Sequence, residues 1–278
     1  MLETNQQEYW NDVAGPRWAR SQVLMDSVLA PYADALESAP DVPAGTTLVD
    51  VGCGCGATTL MMRRRWPETR IVGLDISRPM LAVARRRVAA EPGPPTEFVL
   101  GDAAQMAFRP ASVTRILSRF GVMFFEDPVR AFTNMRRWLT PDGQLVAIIW
   151  GEARDNPWMT ELAGVIAAHV ALAPPPNPHG PGPFSLGSAS HRNDIFEQAG
   201  FRLTEERPLA APVRIEGTVD EIAHFYTERA GIATALKDAA PNARTAAVDA
   251  LRAAIDERYD GRGVSQPALA FRITLTPS

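Results

Sequence analysis

Lysine is almost absent from this sequence: Lys237 is the only one, and arginine supplies the rest of the positive charge. With 28 basic against 32 acidic residues the formal net charge is −4, so no overall basic field draws the chain to nucleic acid or anionic lipid. The arginine runs at 63–65 and 85–87 fall in helical patterns, where three consecutive residues spread around most of a turn, and they read as solvated helix faces. Cysteine is nearly as scarce. Cys53 and Cys55 are the only two, and neighbours two apart on a tight loop cannot meet disulfide geometry. The four histidines, at 169, 179, 191 and 224, lie in no ligand spacing, so neither a metal nor a redox site is expected. No apolar run approaches the ~20 residues that span a bilayer, and "MLETNQQEYW" has no basic region followed by an apolar stretch. These absences predict a cytoplasmic protein with no membrane insertion and no nucleic-acid partner.

What is present is regular alternation between residues 46 and 150. "TTLVDVG" is a continuous apolar run of the kind that forms a buried parallel strand, and Gly52 ends it. Ala57 to Trp66 reads as a helix stopped by Pro67. "RIVGLDIS" repeats the strand pattern, and "RPMLAVARRRVAAE" puts Met80, Leu81, Ala84 and Val88 on one helical face. "TEFVLGDA" and "SVTRILSRFG" are further strands, "DPVRAFTNMRRWL" a helix, "TPDG" a turn and "QLVAIIW" a fifth strand. Strands alternating with helices predict a doubly wound α/β fold, a parallel sheet covered on both faces.

After Trp150 the rhythm changes. "NPWMTELAGVIAAHVALA" reads as a long helix, "PPPNPHGPGPF" as a loop, and "HRNDIFEQAGFRLTEERPLAAPVRI" as helix then strand, with Gly200 as a helix stop. Helices at roughly 218 to 237 and 241 to 259 precede a last strand at "PALAFRITL". The expected organisation is an N-terminal helical segment over 1–45, a cofactor-binding Rossmann-like core over 46–150, and 151–278 as helical cap insertions that also complete the sheet.

Open parallel sheets bind ligands beyond the carboxyl ends of their strands. The first predicted strand leads into Gly52-Cys53-Gly54-Cys55-Gly56, a bend that lets a ligand touch backbone and opens a helix N-terminus. Asp75 ends the second, about 20 positions beyond the glycines, suited to accept from both hydroxyls of a ribose. Asp102 ends the third, where a carboxylate can accept from an exocyclic amine. The glycines alone also satisfy the dinucleotide pattern G-x-G-x-x-G/A, with Ala57 last, which leaves a nicotinamide dehydrogenase open at this point.

"LVDVGCGCGATTL", "IVGLDIS", "LGDAAQMAF" and "LTPDGQLVAIIW" resemble, in order and spacing, the class I S-adenosylmethionine-dependent methyltransferases, in the branch similar to small-molecule and quinone-ring methyltransferases. The resemblance covers about residues 45 to 150. It implies a seven-stranded sheet with only the last strand antiparallel, and S-adenosylmethionine as cofactor. It implies that Asp50 and the loop backbone at Gly52, Cys53 and Gly54 hold the methionine end. Asp75 takes the ribose, Ile76 lies against the adenine, Asp102 and Ala103 face its edge, and the backbone near Ser118 lines the sulfonium side. Thr114-Arg115 departs from the acidic residue that often opens the family's fourth strand.

Trp10 and Trp18, with Arg17 between them, precede the first strand in a segment that either folds over the cofactor, with Trp18 in contact, or packs on the sheet. Phe120, Met123, Phe124, Trp150 and Trp158 cluster at or just after the ends of the fourth and fifth strands, where an acceptor lies; Phe120, Phe124, Trp150 and Trp158 are the candidate acceptor contacts. His169 and His224 fall in the expected cap helices, and no catalytic base is assigned. The reading is transfer to a small, partly apolar acceptor, an aromatic secondary metabolite or similar. Its alternatives are ring C-methylation of a quinone precursor and a non-catalytic nucleotide-binding module. Monomer and homodimer both remain open.

Overall fold

The computed structural model describes residues 5–173, 177 and 179–278. Pro174, Pro175, Pro176 and Pro178 of the expected proline-rich loop, and the first four residues of the N-terminal segment, lie outside the described residues. The strands are β1 Thr47–Val51, β2 Arg70–Asp75, β3 Thr96–Leu100, β4 Val113–Arg119, β5 Leu139–Trp150, β6 Phe201–Leu209, β7 Val213–Glu216, β8 Gly263–Gln266 and β9 Ala270–Pro277. Seven of them form one sheet in the order β3-β2-β1-β4-β5-β9-β6. Strands β1 to β5 pair in parallel, and β9 lies antiparallel between β5 and β6. This is the expected Rossmann-like α/β sheet with the last strand reversed.

Composition explains the centre of the sheet. Leu48, Val49, Asp50 and Val51 of β1 are all buried, because a central parallel strand is covered on both faces. β1 has β2 on one side and β4 on the other, so the chain changes direction of winding there and opens a crevice beyond the carboxyl ends of these strands.

The chain divides into two compact units. The first comprises 1–151, 178–209 and 270–278; the second comprises 152–177 and 210–269. In the second, helices Pro157–Ala167, Val219–Thr227, Ala230–Asp238 and Pro241–Asp256 accompany the antiparallel pair β7 and β8. Leu162, Ile166, Ile222, Leu251 and Ile255 are buried in it, and the Tyr226 hydroxyl sits 2.9 Å from the Trp158 carbonyl and 3.0 Å from Gln266 Oε1.

Four local expectations are corrected. The helix expected over 218 to 237 is two helices, because Arg229 takes extended backbone (ψ 133°) while its Nη1 donates to the Met159 carbonyl at 2.9 Å. The single strand expected to end at "PVRI" is two, β6 in the main sheet and β7 in the small one, whose partner "GVSQ" was too short to stand out. "TPDG" is an irregularity inside β5, where register jumps from Val113 opposite Leu139 to Arg115 opposite Gln144 and the intervening residues bulge. Arg63 is buried, not solvated: its guanidinium donates to the loop carbonyls of Pro94 (2.7 Å) and Glu91 (2.8 Å) and to Thr96 Oγ1 (2.5 Å). None of the described helices is long and apolar enough to cross a membrane.

Candidate active site

A cavity of about 690 Å³ lies at the carboxyl ends of β1 to β4 in the first unit. Its floor is the glycine bend. Gly52, Gly54 and Gly56 have φ of +68°, +53° and +85°, backbone that glycine adopts without strain. A Cβ on Gly52 would sit 2.7 Å from Gly121 Cα, and one on Gly54 2.8 Å from Met80 Cε, so the loops after β1 and β4 approach to backbone distance. Gly56 precedes helix Ala57–Arg65, whose first residues Ala57 and Thr58 also line the cavity.

The acidic strand ends are brought together. Asp75 accepts from Gly54 N at 2.7 Å and from Ser77 N at 2.8 Å, one bond on each oxygen, leaving lone pairs on both. Burial raises its pKa against the lowering effect of these N–H groups. Asp102 accepts from Ala104 N (2.8 Å) and Gln105 Nε2 (3.1 Å) and lines the same cavity with Ile76 and Ala103.

Asp50 and Ser118 are placed differently. Asp50 is fully buried and is not among the cavity's lining residues; Thr59 Oγ1 donates to Oδ2 at 2.6 Å, and Oδ1 is buried with no partner. Burial pushes its carboxyl up to about 7, opposed by the Thr59 hydrogen bond and the charge of Arg119. Ser118 is fully buried and donates to the Val51 carbonyl at 2.8 Å, which ties β4 to β1; Arg119, Phe120 and Gly121 reach the cavity instead. Cys53 and Cys55 are free, buried thiols in the cavity wall. Burial pushes Cys55 up to about 12 and Cys53 well above its ordinary value, which leaves both as poor nucleophiles.

The N-terminal segment supplies another wall. Trp10 and Trp18 line the cavity, with ring centroids 6.3 Å apart, and Trp10 meets Phe124 edge-on at 5.1 Å. A five-residue π-helical stretch, Tyr9–Val13, carries Trp10 and Asn11. Asn11 Nδ2 donates to Ile76 O (2.9 Å) and its Oδ1 accepts from Arg78 N (3.0 Å), while Ser77 Oγ donates to Trp10 O (2.7 Å). The segment both lines the cavity and packs on the core, with Trp10, Trp18 and Ala19 against Cys55, Met80 and Val83.

Phe120 has φ +66°, an uncommon conformation for a bulky residue and costly unless its surroundings fix it. Its ring stacks on Trp150 (4.2 Å, 11°) and Tyr32 meets both rings edge-on. Phe120 and Phe124 line the cavity, Trp150 backs Phe120, and Trp158 belongs to the second unit. His169 and His224 are exposed in the second unit, and His169 falls beyond the end of its helix. Gln22, Met25, Asp26 and Leu29 of helix Gln22–Glu37, and Arg119, also line the cavity. Sequence reasoning did not single them out, since residues four apart on an N-terminal helix look like ordinary packing; a charged residue ending β4 was the one available signal.

The family model described as a methyltransferase domain matches residues 49–147. The chain is 34% identical over 104 residues to the malonyl-[acyl-carrier protein] O-methyltransferase of Xylella fastidiosa, covering 37% of this chain and 35% of that protein. It is 34% identical over 132 residues to the demethylmenaquinone methyltransferase of Thermus thermophilus, covering 48% and 53%. The matches thus span about half or less of these relatives. Among solved structures, the YcgJ protein of Bacillus subtilis shares the fold, with TM-score 0.58, 18% identity and coverage of 88% of this chain and 97% of that one.

Proposed function

We propose, from the premise that this chain belongs to the class I S-adenosylmethionine-dependent methyltransferases, that it methylates a small, partly apolar acceptor. The observation that carries the reading is the convergence of the glycine bend, Asp75 and Asp102 on one cavity that also has an aromatic wall. The residues fit a nucleoside with a zwitterionic tail. Side chains on Gly52 and Gly54 would close the backbone cradle, the lone pairs left on Asp75 suit two vicinal hydroxyls, and Asp102 suits an amine donor. A nicotinamide dinucleotide is the competing occupant of the glycine pattern; Asp102 beside Asp75 favours the shorter adenosyl ligand.

S-adenosylmethionine, when bound, supplies a methyl group on positively charged sulfur, so the protein's task is alignment and exclusion of water. Positioning of this kind can contribute about 7–11 kcal/mol to a barrier. The Gly52–Gly54 backbone and the acidic strand ends fix the nucleoside, while Trp10, Trp18, Phe120 and Phe124 dry the remaining space and offer flat apolar surfaces to an acceptor. No histidine, lysine or tyrosine is among the described residues that line the cavity.

Calorimetric titration with S-adenosylmethionine, S-adenosylhomocysteine and NADH tests the cofactor, and mass-spectrometric methyl incorporation across apolar aromatic and carboxylic acceptors tests the reaction. Binding of both adenosyl ligands without NADH is expected. Preference for NADH, or tight adenosyl binding with no methylation of any acceptor class, overturns the catalytic reading.

A further inference from the structure

We propose that Arg119 is a carboxylate receptor inside the cavity, a positioning residue that grips the anionic end of a bound molecule. The inference rests on the reading of this cavity as the adenosyl site.

Arg119 ends β4 and lines the cavity, and its side chain is only 12% exposed. A guanidinium has five N–H donors, and one so enclosed needs partners. The contacts present are weak. Nη1 reaches the Leu29 carbonyl at 3.5 Å, and Nη2 lies 3.8 Å from Asp26 Oδ1, beyond hydrogen-bond distance. Asp26 is already committed elsewhere: its Oδ2 accepts from Gln22 Nε2 at 2.6 Å and Arg87 Nη2 at 2.7 Å. Arg87 also donates from Nη1 to the Cys55 carbonyl at 2.7 Å and so ties the cluster to the glycine bend. Of the two arginines that meet Asp26, Arg119 has the weaker contacts, and it is Arg119 that lines the cavity.

Its setting selects for an anion. Burial works against the charge of Arg119, and a guanidinium keeps its charge in proteins, so it seeks compensation from an anion. Asp50, whose carboxyl feels Arg119, is hydrogen-bonded to Thr59 and lies behind the wall. The complementary group is planar, anionic and able to accept two parallel N–H bonds: a carboxylate. Two molecules bring one here, the aminoacyl end of the cofactor and an acidic acceptor. The Phe120 ring, next in sequence, gives either a flat apolar neighbour.

The test compares wild type, Arg119→Met and Arg119→Lys by calorimetry. S-adenosylhomocysteine is titrated against 5′-methylthioadenosine, which lacks the aminoacyl tail. Separately, 3-phenylpropionate is titrated against 3-phenylpropionamide, with and without saturating nucleoside. If the cofactor is the source, Arg119→Met weakens S-adenosylhomocysteine about 10- to 100-fold, the range for a charge-assisted pair, and leaves methylthioadenosine unchanged. If the acceptor is the source, both nucleosides are unaffected, and the wild-type preference for the acid over the amide is lost. In either case Arg119→Lys recovers part of the affinity. Equal affinities of wild type and Arg119→Met for all four molecules overturn the proposal. Failure of wild type to bind either nucleoside overturns the adenosyl reading instead, and the acid–amide comparison without nucleoside then decides for or against Arg119. If Arg119→Met does not fold, Asp26→Asn serves: removal of the carboxylate that faces Arg119 raises affinity for the carboxylate ligand several-fold, and unchanged or lower affinity counts against the proposal.

Discussion

The backbone N–H of Gly54 donates to the Asp75 carboxylate at 2.7 Å, joining the glycine bend after β1 to the acidic end of β2. One carboxylate therefore shapes the bend and presents its remaining lone pairs to the cavity. Asp75→Ala is expected to weaken S-adenosylhomocysteine binding by about 1.5–3 kcal/mol, the range for hydrogen bonds to a charged group. Calorimetry checks this alongside thermal melting. Unchanged affinity in a folded variant removes Asp75 from the site.

The glycines and cysteines of the same loop have opposite expected sensitivities. Gly54 has φ +53°, backbone that a β-branched residue adopts only with strain, and a side chain there would push Met80 Cε aside, so Gly54→Val should distort the bend and abolish cofactor binding. Cys53 and Cys55 are buried, protonated thiols, so the double change to alanine should cost some stability but leave cofactor affinity within about tenfold. Alkylation of the native protein by iodoacetamide at pH 8 should be slow. Rapid labelling, or loss of methyl transfer on the alanine change, assigns the thiols a chemical role.

The fold was legible where sequence pattern and geometry share a period. Continuous apolar runs marked the central strands, and Gly52, Asp75 and Asp102 marked their carboxyl ends, because strand ends are where a short motif and a fixed position in space coincide. Asp50 and Ser118 were legible as members of a motif but not as buried groups, since a strand's face cannot be read from a run that is apolar on both sides. Asp26 and Arg119 come together across 93 residues through an N-terminal helix whose packing no local pattern encodes. Arg63 shows the same limit: an arginine run looks solvated until a loop supplies carbonyls for one member to cap.

Asp50 makes stability depend on pH. Its carboxyl, pushed from the ordinary 3.8 up to about 7, holds its proton more tightly in the folded chain than in the unfolded one. Unfolding thus releases a proton between these values, and the contribution of Asp50 to stability falls as pH rises through that window and levels off above it. Between pH 5 and pH 8 the loss from this group is about 2–3 kcal/mol. Asp50→Asn removes the ionisation while keeping an oxygen for Thr59, so its unfolding free energy should decline less than that of wild type across the same range. Parallel pH profiles of the two proteins, measured by urea unfolding, contradict the assigned ionisation.

Asn11 makes two hydrogen bonds to the backbone that follows β2, at Ile76 O and Arg78 N, and so holds Trp10 over the strand ends. The N-terminal segment is also tied by Ser77 Oγ to Trp10 O and by Gln6 N to Glu126 Oε1, and Trp10 and Trp18 pack on Cys55, Met80 and Val83. Where such a wall opens to admit a ligand and closes behind it, the strength of these bonds appears in the rate of ligand escape. Asn11→Ala removes both of its bonds to the backbone after β2, worth about 0.5–1.5 kcal/mol each, which corresponds to a faster dissociation of S-adenosylhomocysteine by about 5- to 150-fold with little change in association. Stopped-flow tryptophan fluorescence reads this directly, because Trp10 and Trp18 line the cavity. Trypsin cleavage after Arg17 or Arg20 should slow when S-adenosylhomocysteine is bound to wild type, and less so in Asn11→Ala. An unchanged dissociation rate, or cleavage indifferent to ligand, makes the segment a fixed part of the scaffold.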